Sequence, residues 1–137
     1  MARFAYIPTP NTSSIVTLAE CKSHLRVDYD NDDVYIANLA LAAKETIEQH
    51  TNRKLLSTDV KQYCDTWQDA FMLYFAPISI VSRIEYYNTN NVSTTLDASI
   101  YDANIFSTPS TITLSPSQGF PAVADRAQPI WITYKAG

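Results

Sequence analysis

Apolar positions recur at spacings of three and four through residues 17–55 and at spacings near two afterwards, so the chain reads as a helical first third and a β-rich remainder, changing near Leu56. Leu18, Cys21 and Leu25 give a short first helix one apolar stripe. Its start is set by Thr17 and Glu20, a capping box in which each side chain satisfies the other residue's free backbone amide. A longer helix is predicted from Asp32 to Thr51, about 30 Å at 1.5 Å per residue. Asp32 and Asp33 sit where carboxylates meet the positive end of its dipole, and Asn52 closes it in a left-handed cap. Ile36, Leu39, Ala40, Ala43 and Ile47 are its expected main buried face. Val34, Ala37 and Leu41 widen this into a second apolar flank, leaving Tyr35, Asn38, Glu45 and Gln49 as the consistently wet stripe. One short helix cannot cover both flanks, which makes Val34, Ala37 and Leu41 candidates for a subunit interface.

Ahead of the helices, residues 1–16 read as an extended surface arm, because Pro8 and Pro10 fix their φ angles and residues 11–14 are polar without period. Beyond them, β-forming runs fall at 59–65, 71–75, 80–87, 94–96, 112–114 and 130–134, and Asn88, Thr89, Asn90 and Asn91 make the clearest hairpin turn. Residues 97–129 are weakly patterned and read as long loops with one short strand. The expected fold is α+β: an N-terminal two-helix unit, one helix short and one long, packed on a mostly antiparallel sheet or small barrel. A single domain over 1–137 is divided into the arm, a helical part at 17–55 and a β-rich part at 56–137.

At 137 residues the chain can bury one sizeable core, and 46% hydrophobic against 18% charged residues lies far from the composition of disorder. A net charge of -4 argues against a protein that grips nucleic acid phosphates. No apolar run suits a secretory core or a transmembrane helix, so a soluble protein with no membrane contact is expected. Cys21 and Cys64 are too few for a disulfide framework and are read as reduced.

The chemistry-bearing residues form few constellations. Asp28, Asp30 and Asp32 match the first, third and fifth places of a calcium loop, but Asp33 stands where Gly is needed and Leu39 where Glu is needed. Cys21, His24, His50 and Cys64 are the available soft ligands, and their spacing does not make a zinc site. With Gly119 and Gly137 as the sole glycines, no phosphate-cradling loop can be written, and no Gly-x-Ser-x-Gly elbow exists. Asp65 and Asp69 beside Trp67 are a weak glycosidase pair. Trp67, Trp131 and nine tyrosines offer stacking area, so a carbohydrate-binding β-module is the main alternative function, with a small metal-dependent hydrolase behind it. No catalytic residue, metal or cofactor is assigned.

Several segments, in order, resemble one family. Residues 17–28, Thr-Leu-Ala-Glu-Cys-Lys-Ser-His-Leu-Arg-Val-Asp, are similar to the opening helix of the head-tail connector, or adaptor, proteins of tailed bacteriophages. Asp32-Asp33-Val34-Tyr35-Ile36, the alanine-rich helix through Ala42, Ala43 and Ile47, and residues 51–56, where relatives usually show Thr-Gly-Arg, continue the match. Pro77, residues 81–87 and the closing residues 131–137 resemble the family's strands. The resemblance implies a non-enzymatic structural protein of the virion, found at the head-tail interface and in the host cytoplasm during assembly. It implies a ring of copies, commonly a dodecamer, under the portal protein, joining it to a stopper or tail-completion protein while genomic DNA passes through without sequence-specific binding. A stopper or tail-completion role is the nearest variant of that function. Negative walls would suit such a conduit by not retaining phosphate, and Asp28, Asp30, Asp32 and Asp33 are the densest acidic cluster and the candidates to face it. In many relatives further helices follow the Tyr-x-Ala-Gly stretch. The expectation here is that the arm or the 97–129 loops replace them in docking.

Overall fold

Period-two alternation builds most of the molecule. The computed structural model describes residues 4–137; residues 1–3 of the expected arm lie outside the described residues. In chain order the elements are β1 (Phe4–Pro8), α1 (Leu18–Leu25), α2 (Asp33–Thr51), β2 (Thr58–Cys64), β3 (Ala70–Met72), β4 (Ile78–Tyr87), β5 (Ser93–Thr95), a 3-10 turn (Ala98–Ile100), β6 (Tyr101–Asn104), β7 (Thr111–Leu114) and β8 (Ile130–Ala136). The strands form a five-stranded sheet in the order β1-β2-β8-β4-β5 and a three-stranded sheet in the order β3-β7-β6. All pairings between these strands are antiparallel. The fold is therefore α+β with N-terminal helices, and its sheets stay open rather than closing into a barrel.

Alternate residues of β2 (Thr58, Val60, Gln62, Cys64) and β8 (Ile130, Ile132, Tyr134, Ala136) are buried, as a half-covered sheet requires. They meet Phe71, Leu73 and Ile112 from the small-sheet side, and Ile84 and Leu96 complete the same cluster. β4 slips its register against β8 between Ile78 and Ile80 and again between Val81 and Arg83. These irregularities return Ile84 to the core face where strict alternation from Ile78 would also place Ile80, which is 54% exposed. Gln62 is fully buried and its Nε2 donates to the Met72 carbonyl at 3.0 Å, tying one sheet to the other. Burial among these strands pushes the Tyr134 phenol up to about 12.

Among the described residues this core is drawn wholly from strands and the loops between them, and no residue of α1 or α2 joins it. The helices pack on each other and meet the β body through polar joints at one end of α2.

Three expectations need correction. Residues 4–8 are extended, but they are an edge strand paired with β2 from Phe4–Cys64 to Pro8–Val60, not a free arm. Pro8 is accommodated at the end of an edge strand, where a missing N–H costs little. The 97–129 stretch holds two strands, since Tyr101–Asn104 pairs with Thr111–Leu114. Finally, Leu39, Ala43 and Ile47 are exposed on α2; of the expected main buried face, only Ile36 is buried.

Candidate functional site

The helical hairpin is set by local chemistry at its ends. The Thr17 backbone amide donates to Glu20 Oε2 at 2.7 Å, and the Glu20 amide donates to Thr17 Oγ1 at 3.2 Å, the reciprocal capping expected from the sequence. Arg26 ends α1 in the left-handed region at φ 57°, and Asn52 ends α2 likewise at φ 52°. Between the helices, Lys22 reaches from α1 to Asp30 at 2.6 Å and Asp33 at 2.7 Å. Its hydrogen bond to Asp30, then that to Asp33, raises the lysine pKa, and the same contact lowers that of Asp30. The structure thus brings Asp30 and Asp33 together on one cation. Asp28 and Asp32 lie exposed in the same turn, with Asp32 capping α2 by position but without a side-chain cap bond. The cluster is a helix-linking turn with part of its charge neutralised.

The second feature is an apolar groove between the helices, a cavity of about 480 Å³ lined by Ile15, Val16, Leu25, Leu39, Ala43 and Ile47 among others. Leu25 is 55% exposed, Leu39 50% and Ile47 47%. Eight residues of α1 cover Ile36 and leave the rest of this α2 face open.

Val34 and Ala37 on the neighbouring flank are exposed, and Leu41 is half-buried. The flank continues at the same helical spacing into Lys44 and Glu48, which are buried. The Lys44 Nζ donates to the Asn11 and Ser13 carbonyls, holding the segment between β1 and α1 against α2. Glu48 accepts from the Leu55 amide at 2.9 Å and pairs with Lys54 at 3.1 Å. Burial raises the Glu48 pKa, but the Leu55 amide and the Lys54 ammonium outweigh it and hold the carboxyl below its ordinary value. Lys54 in turn donates its amide to Ala76, and Tyr74 donates its hydroxyl to Asn52 Oδ1 at 2.8 Å. This polar joint was missed by the sequence reading. Its signal was available: Lys44 and Glu48 extend the Val34, Ala37, Leu41 stripe by steps of three and four.

The remaining candidate groups are dispersed. Cys21 lines the groove, while Cys64 is buried in the β core, where desolvation pushes its thiol up to about 12; both are free. His24 and His50 are exposed. Among the described residues no three His, Cys, Asp or Glu side chains come together as a metal site. Trp67 stacks on Phe120 at 4.4 Å and donates its indole N–H to the Pro121 carbonyl, so its ring is engaged within the chain. Asp65, its carboxylate neighbour, accepts from the Gln128 amide. Tyr86 and Tyr87 take opposite faces as alternation requires: Tyr86 packs on the core, and Tyr87 lies beside Trp131 under the Arg126 guanidinium. Among the described residues, no helix is long and apolar enough to cross a membrane.

A β body folded around a continuous core carries a helical hairpin whose apolar face the chain itself covers only in part. Residues 15–112 match the model of the phage gp6-like head-tail connector proteins, more than half of the chain, and the chain belongs to that family. It is a structural connector of a phage-like virion, at the junction of head and tail. The fold is shared with a chain in the neck of an empty gene transfer agent particle computed with C6 symmetry, at a TM-score of 0.74 and 20% identity, over 96% of this chain and 71% of that one. A chain in the virion of a native gene transfer agent particle is similar at a TM-score of 0.75, with the same identity and coverage. No curated protein sequence matches the chain.

Proposed function

We propose that this connector works as a closed ring, of dodecameric size, seated under the portal protein and handing over to a stopper or tail-completion protein, with genomic DNA passing through its centre. The role is mechanical and requires no catalytic residue, metal or cofactor. The observation that carries it is the open groove: a soluble chain leaves Leu25, Leu39 and Ile47 about half exposed on one helical face while its β body is closed over a continuous core. A neighbouring copy supplies the cover that α1 is too short to give. Val34, Ala37 and Leu41 adjoin the groove on α2 and belong to the same interface. Asp28, Asp30, Asp32 and Asp33 face the channel, and the net charge of -4 per copy keeps the wall from retaining phosphate.

The test is imaging of the chain within particles, together with native mass spectrometry of concentrated protein. A closed ring at the neck, lost in Leu39→Asp and Leu41→Asp while circular dichroism of the isolated variants stays as in the parent, is the expected result. Particles carrying only isolated copies would overturn the ring. A Leu41→Asp chain that is unfolded alone would remove Leu41 from the interface and assign it to folding.

A further inference from the structure

On the face of the five-stranded sheet turned away from the core, Lys61 and Tyr63 alternate with the buried residues of β2. Trp131 of β8 pairs with Tyr63, and Glu85 and Tyr87 of β4 lie on its other side. A recess of about 400 Å³ opens here, walled by the half-buried rings of Tyr63, Tyr87 and Trp131 and rimmed by Lys61, Arg126 and Gln128. Ring centroids of Trp131 lie 6.3 Å from Tyr63 and 5.1 Å from Tyr87. The rim is tied in place. Tyr87 donates its amide to the Pro129 carbonyl at 2.8 Å and accepts at its own carbonyl from the Ala124 amide at 2.9 Å. The Gln128 amide donates to Asp65 Oδ1 at 2.9 Å, with Gln128 held at a left-handed φ of 51°. Arg126 lies 3.9 Å over the Tyr87 ring and donates to Asn91 Oδ1 at 2.9 Å.

Among the described residues neither Lys61 nor Arg126 has a carboxylate within ion-pair distance. The acids of this face are already committed. Glu85 accepts from the Trp131 indole N–H at 2.8 Å and pairs with Arg83 at 2.8 Å, Asp59 stands 3.8 Å from Lys135, and Asp65 holds the Gln128 amide. In a chain of net charge -4, two cations without counter-ions beside three aromatic rings fit an anion that carries apolar surface. Duplex DNA fits poorly, because two cations neutralise about two phosphates while the rest of the chain repels them. A neutral sugar fits poorly too, since its hydroxyls need acceptors and the indole N–H is taken. The hairpin groove of a second copy has no carboxylate on its wall to offer. An Asp or Glu on a polypeptide, next to an aliphatic or aromatic residue, supplies both the charge and the apolar area.

We propose that this recess seats an acidic segment of a different virion protein at the head-tail junction, its carboxylate bridging Lys61 and Arg126 and its apolar neighbour lying on Tyr63 and Trp131. The contact is separate from the hairpin and stands whether or not the copies close into a ring. Carbodiimide coupling of intact particles, read by mass spectrometry, is expected to join Lys61 through an amide to an Asp or Glu of another protein. An acylating reagent that labels Lys61 in the isolated chain is expected to lose that site in particles. Lys61→Glu, at an exposed position, is expected to fold as the parent by circular dichroism and to bind the cross-linked protein at least about thirtyfold more weakly, with Lys61→Arg retaining most of the affinity. Lys61 labelled as readily in particles as in the free chain would overturn the proposal, as would binding unchanged by Lys61→Glu. A cross-link from Lys61 to another copy of this chain would overturn it in favour of a contact between copies. Protection lost in particles emptied of DNA would overturn it in favour of phosphate. Particles that carry isolated copies with the Lys61 cross-link intact would remove the ring and leave this seat in place.

Discussion

The β body and the helical hairpin divide the chain's apolar residues in opposite ways. In the body, Val60, Phe71, Ile84, Ile112, Ile130 and Ile132 are all fully buried. In the hairpin, Ile36 is the one buried aliphatic residue among the described positions, and the deepest positions of α2 otherwise are Lys44 and Glu48. One part folds around its own core; the other is fixed by polar joints and leaves its greasy face outward. The difference is that between an element stabilised within the chain and one whose apolar face the chain leaves open, the face that the proposed ring would cover.

The sharpest way to break that comparison is to remove one side chain from each part. Phe71→Ala, in a site enclosed by Trp67, Phe120 and the strands, is expected to cost about 3–5 kcal/mol of stability by cavity formation and lost burial. Leu39→Ala at a half-exposed position should change the unfolding free energy of the isolated chain by no more than about 0.5 kcal/mol. Urea denaturation of the two variants checks this. Equal losses would mean that the hairpin has a core of its own and that the contrast is false.

The joint comes next. Glu48→Ala leaves the Leu55 amide and the Lys54 ammonium without their buried acceptor and is expected to cost about 1–3 kcal/mol. The carboxyl is held below its ordinary 4.5 in the folded chain, so its contribution is fully present above that value and is lost as pH falls through the lower, folded one. Hydrogen exchange at the Leu55 amide should therefore quicken as pH falls below 4.5, beyond the intrinsic pH dependence of exchange. Glu48→Gln, which keeps an acceptor but cannot titrate, should flatten that excess. Persistence of the same pH response in Glu48→Gln would place the titrating group elsewhere.

How far these parts were legible follows from the same physics. The helices were readable because their ends depend on neighbours in sequence: Thr17 with Glu20, and Asn52 after Thr51, fix the limits locally. Strands β2 and β8 alternate strongly, and these two, β4 and β7 were found within a few residues. β1 was hidden, since residues 4–8 end in a proline and gain their ladder from β2, more than fifty residues away in sequence. β6, Tyr-Asp-Ala-Asn, is mostly exposed and shows no apolar alternation, so only its pairing with β7 defines it. The apolar stripe of α2 was read correctly as a stripe, but which of its residues the same chain covers depends on α1 being short and on where Lys44 docks. The tail of the second flank escaped notice because a lysine and a glutamate at core spacing look like solvent-facing residues until their partners, backbone carbonyls of 11 and 13 and the amide of 55, are known.

The smallest expected effect probes the hairpin's independence from the body. Thr17→Ala removes the hydroxyl that accepts from the Glu20 amide and donates to Glu20 Oε2, while the backbone amide at 17 can still donate to that carboxylate, a loss of about 1 kcal/mol for a helix start. Because α1 shares no core with the strands, this loss should appear as faster hydrogen exchange over residues 18–25. Exchange in β2 and β8 should stay unchanged, and the urea midpoint of the body should not move. If β2 and β8 lose protection together with α1, the two parts unfold as one unit and the division between them is only geometric. If α1 alone responds, its local opening is the low-energy motion that gives a partner access to the groove, and the Thr17→Ala chain should assemble more weakly than its intact β body would lead one to expect.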